Sequence, residues 1–166
     1  MVVLNGTPIE VSQTGEKMLV ELYRRYAGDY PKFFKMDTLS RLGFIAAEIL
    51  LNGQTANGET ANAIDAVILA NRSASIKNDT DYLATIAEGN YYPSPALFVY
   101  TLPNIVTGEI AIRHHIQGET SFYILDRPEQ LEPIILSTFS SNLLAGWCEC
   151  SAADTFYAKL QIIWKN

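Results

Sequence analysis

The chain is poor in the side chains that most often carry chemistry. Its 166 residues include two cysteines and two histidines. With Cys148 and Cys150 as the only thiols, a disulfide scaffold does not hold this fold. In a strand, a Cys-x-Cys pair shares one face, and two thiolates fall short of the four ligands of a structural zinc site. They read as buried, reduced strand cysteines. His114 and His115 are adjacent, so on a helix they point about a third of a turn apart and are poorly placed to chelate one ion. They read as cations at the negative end of a helix. No metal and no cofactor follows from this set. Charge is scarce too: 18% of residues are charged, and the net charge is −6. A deficit of basic residues excludes nucleic acid as the main partner. No apolar run is long enough for a membrane span. Met1 to Gly6 lacks the charged region and apolar core of a signal peptide. The expectation is a cytoplasmic protein.

What is present is apolar: 48% of residues, enough for the core of one domain over residues 1–166. Val2 to Leu4 and Pro8 to Val11 flank Asn5-Gly6, a tight-turn dipeptide that predicts a short hairpin. Helical spacing predicts a helix over 12–26, stopped by Gly28, and another over 36–51, stopped by Gly53. A compact apolar run over 63–70 predicts a buried strand, and 79–88 a short helix capped by Asn78 or Asp79. Pro93 and Pro95 punctuate a turn. Residues 104–116 predict a helix, and 120–125 a strand. A helix follows over 128–139, with Pro133 kinking it or delaying its start. Strands at 143–150 and 156–164 are joined by so short a link that they read as antiparallel. The sum is α/β with a mixed sheet of about four to five strands.

Four blocks add to this reading, in order along the chain. They are Phe34-Lys35-Met36-Asp37 with Leu42 to Glu48; Ala66 to Ser73; Ser94-Pro95 through Leu102-Pro103-Asn104 to Gly108-Glu109-Ile110-Ala111-Ile112; and Leu143-Leu144-Ala145-Gly146-Trp147-Cys148-Glu149. Together they resemble the N-terminal half of β-ketoacyl-(acyl carrier protein) synthases, whose fold is the thiolase fold. The resemblance implies half of a thiolase-like fold. It also implies a catalytic cysteine near Asp126 or Arg127, just before a helix, and none is there. A guanidinium stays protonated and cannot replace it. The family's small residues after the cysteine are absent from Pro128-Glu129-Gln130. Its two catalytic histidines belong to the second half of the fold, and His114 and His115 do not correspond to them. Without a thiolate no acyl-enzyme forms, so no residue is assigned a catalytic role.

The resemblance therefore implies a non-catalytic ketosynthase-like protein of fatty-acid, polyketide or pigment biosynthesis. It would pair with itself or with an active synthase and shape the acyl tunnel. The family's twofold seam corresponds to 120–125, with Phe122 and Tyr123. Ile134, Ile135, Leu136 and Phe139 form an apolar load on the following helix that a partner would cover. A second reading is an acyltransferase or hydrolase using Cys148, Ser73, Ser75 or His114, although no Gly-x-Ser-x-Gly elbow is present. A third is a small scaffold domain unrelated to acyl chemistry. Arg24, Arg25, Lys32, Lys35 and Arg41 cluster in sequence. They are a candidate docking patch for an acidic acyl carrier protein, against the plainer reading of a solvated helix end.

Overall fold

The computed structural model describes residues 2–4, 7–54, 64–86, 88–89, 92–151 and 155–165. Its first helix, α1 (Gly15–Tyr26), starts later than the periodicity predicts and buries Leu19, Leu22 and Tyr23. Strands β1 (Val2–Leu4) and β2 (Thr7–Ile9) pair antiparallel ahead of it; the Asn5-Gly6 turn lies outside the described residues. A 3-10 turn, Pro31–Lys35, sets Phe33 under α1, where its ring stacks on Tyr23 at 4.3 Å. Asp37 then accepts from the backbone N–H groups of Ser40 (3.0 Å) and Leu39 (3.3 Å). This is the cap expected where four orphan donors begin a helix, and α2 (Thr38–Gln54) follows.

The central strand β3 (Ala66–Asn71) is buried at every position, as a continuous apolar run in the middle of a sheet requires. It pairs in parallel with β4 (Thr120–Ile124) on one side and β5 (Asn142–Cys150) on the other. β6 (Phe156–Trp164) adds antiparallel to β5, giving a four-stranded mixed sheet in the order β4-β3-β5-β6. β5 and β6 leave no room for a side chain at Gly146: a Cβ there would collide with the carbonyl oxygen of Lys159 and the Cα of Leu160.

The connection from β3 to β4 departs most from the sequence reading. Helix α3 (Ile76–Leu83) begins three residues earlier than predicted. The Asn71 side chain closes the preceding turn, accepting from Ala74 N–H and donating to Ala74 O, with Ala74 at φ +49°. Asn78 therefore does not cap the helix; it is buried and donates to Leu97 O at 2.8 Å. The Pro93–Pro95 turn leads into a helix, α4 (Pro95–Val99), with Pro95 in its first turn and the Ser94 hydroxyl accepting from Leu97 N–H. Proline is tolerated there because that N–H has no helical partner. Helix α5 (Ile105–His114) crosses back under β4 and β3. After β4, a 3-10 turn (Pro128–Gln130) precedes α6 (Leu131–Ser137), so Pro133 sits in the first turn of a helix that starts late rather than kinking a longer one.

Two layers of helix cover one sheet face. Val67, Leu69, Leu144, Cys148 and Cys150 pack there against α2 and α5, with α1 outside α2. The α2–α5 crossing is close because position 43 is glycine: a Cβ would collide with Val106 Cγ2. On the opposite face, Ala66, Ile68, Ala70, Leu143, Ala145 and Trp147 meet Leu131 and Ile135 of α6.

Candidate functional site

Parallel strands deliver their carboxyl ends to one rim of the sheet, where open α/β folds bind ligands. Here β3 and β4 end together, and Leu125 N–H donates to Asn71 O at 2.8 Å. The next residues, Asp126 and Arg127, occupy the position where the resemblance implies a nucleophile, and both are exposed. Arg127 N–H donates to Gln130 Oε1 (3.0 Å) and Gln130 N–H to Arg127 O (3.1 Å). The helix start is thus tied off by its own polar side chain and carries Glu129 in the first turn. On the neighbouring strand, Glu149 Oε2 accepts from Arg72 N–H at 2.9 Å, joining the rims of β3 and β5.

The other candidate reactive groups lie apart, and no hydrogen bond or ion pair joins any two of them among the described residues. Cys148 is fully buried in the helix-covered core, with Sγ 4.0 Å from Leu39 O. Burial above all, then Cys150, Asp37 and Glu149, pushes its thiol far above the ordinary range, so it has no thiolate to offer near neutral pH. Ser75 is buried, and its hydroxyl lies 2.7 Å from Thr101 O and 3.0 Å from Asp79 Oδ1, which ties α3 to the end of α4. Ser73 is half-buried in the turn after β3. His114 stands in the last turn of α5, as the helix-end reading requires, and His115 caps it in the left-handed region at φ +56°.

His114 also has a partner that sequence spacing could not reveal. Its Nε2 lies 2.9 Å from Oε1 of Glu48, a carboxylate 1% exposed on α2. Arg113 donates to the same carboxylate at 3.1 Å, reaches Asp29 at 2.8 Å, and lies over the Tyr30 ring at 5.5 Å. Burial pushes the Glu48 carboxyl upward, but His114 and Arg113 outweigh it and hold it below its usual value. Farther along α5, Glu109 is buried and takes Lys32 at 2.7 Å. These contacts fasten α5 to α2 and to the turn before it.

The five candidate docking cations divide into two groups. Arg24, Arg25 and Arg41 line an open groove of about 660 Å3 together with Glu16, Lys17, Val20 and Glu21. Arg25 pairs with Glu21 (3.5 Å) and Arg41 with Glu16 (3.4 Å), while Arg24 has no such partner among the described residues. Lys32 is held by Glu109, outside the groove, and Lys35 is exposed. Lys17, which the sequence reading omitted, joins the groove because it lies two helical turns before Arg24 on α1. Phe122 and Tyr123 pack on opposite faces of the sheet. What β4 leaves open is its outer main-chain edge, because among the described residues it pairs on one side only.

No family model matches the chain, and no curated protein matches it. Among solved structures it is similar to a chain of the ketosynthase (ApeO) in complex with its chain length factor (ApeC) from Xenorhabdus doucetiae. The TM-score is 0.62 at 12% identity, covering 99% of this chain and 67% of that one. It is also similar to a chain of the ishigamide ketosynthase/chain length factor, with a TM-score of 0.61 at 24% identity, covering 79% of this chain and 39% of that one. At these identities the likeness establishes the fold: a mixed four-stranded α/β unit that corresponds to part of a thiolase-like ketosynthase fold.

Proposed function

We propose that this chain is a non-catalytic, ketosynthase-like partner of an active synthase in fatty-acid, polyketide or pigment biosynthesis. One observation carries the reading. The strand that leads to the nucleophile in the resemblance is present as β4, and it ends in exposed Asp126-Arg127-Pro128. The neighbouring structures, ketosynthases with chain length factors, are a precedent for such pairing. The seam would be the free edge of β4, where a partner strand finds unpaired main-chain donors and acceptors. Helix α5 flanks that edge. It presents Ile112, which is 60% exposed, and Gly108, beside which a Cβ would meet nothing within 4 Å. These are the surfaces from which such a partner would help to shape an acyl tunnel. Arg24 and Lys35, the cations of the docking set without an ion pair among the described residues, would meet an acidic carrier protein, and long-range repulsion from the net negative charge is partly screened at physiological salt.

The test is co-expression with a complete ketosynthase. The expected result is a stoichiometric complex that Ile112→Arg disrupts, and no condensation of acyl and malonyl thioesters by this chain alone. Turnover by the isolated chain that a point mutation in it abolishes would refute the reading. So would failure to retain any ketosynthase encoded beside it.

A further inference from the structure

We draw no further inference here: the strongest candidate, the apolar surface patch that Leu83, Phe98, Val99 and Leu102 expose on the α3–α4 connection between β3 and α5, is an unpartnered face, and nothing in the structure shows what covers it.

Discussion

The two faces of the sheet are built to different degrees. On one, α2 and α5 lie on the strands and α1 on α2, and the packing is tight enough that Gly43 cannot carry a methyl group without displacing Val106. On the other, among the described residues, α6 alone covers the middle of the sheet, and it turns Leu136 (70% exposed) and Phe139 just beyond it (104% exposed) to solvent. A folded chain normally places its large apolar groups where something covers them. The difference separates what is packed within the chain from what remains exposed. The first face carries the stability. The second leaves large apolar side chains exposed among the described residues.

The largest expected effect tests the finished face. Phe44 is fully buried and stacks with Tyr30 at 5.2 Å. Phe44→Ala should lower unfolding free energy by about 3–5 kcal/mol, whereas Ile135→Ala under α6 should fall near the low end of the range for such truncations, about 2 kcal/mol. Denaturant titration of both variants measures the ratio. Equal losses would mean that the second face is as closely packed as the first, and the comparison would fail.

The finished face was also the more legible from sequence. The apolar stripes of α2 and α5 and the uninterrupted run of β3 have periods that hydrophobic burial imposes directly. What was less legible, on either face, has determinants that are not periodic. Helix α4 is five residues long, and two nearby prolines read as a turn until Ser94 is seen to cap it. The start of α3 depends on a side-chain bond from Asn71 back to its own turn. Lys17 and Arg41 share a groove only because α1 lies against the start of α2. The Glu48 carboxylate meets Arg113 across 65 residues, a pairing that no local pattern announces. The identity of the residues at 126 and 127, where the resemblance implies a nucleophile, was legible because it needs only the sequence. Strand order was not, so which edges remain free emerges only from the fold.

An intermediate effect comes from that carboxylate. Glu48 is held below its usual range in the folded state by His114 and Arg113 against the pull of burial. A carboxyl with a depressed folded pKa contributes stability that is fully present above its unfolded value of about 4.5. That contribution is lost as pH falls through the folded value. Glu48→Gln should therefore destabilise by about 1–3 kcal/mol at neutral pH, as removal of one partner from a buried charged hydrogen bond does. The gap between variant and parent should then close as pH drops below about 4.5. Thermal melts of both proteins across this range check the sign. A gap that widens in acid would mean that Glu48 is protonated in the fold and that α5 is fastened by something else.

The smallest effect belongs to the unfinished face and is diagnostic for that reason. Leu136 and Phe139 contribute almost nothing to burial within the chain, so replacing both by serine removes little apolar contact from the folded state. Stability should change by no more than about 0.5 kcal/mol, the usual range for surface positions, while exposed apolar area falls and binding of a hydrophobic dye falls with it. If a partner covers α6, the same double variant should lose that partner while keeping the melting temperature of the parent. A melt lowered by several degrees would show that the two side chains are already packed within the chain. The second face would then be complete by itself, with no need of a second protein to cover it.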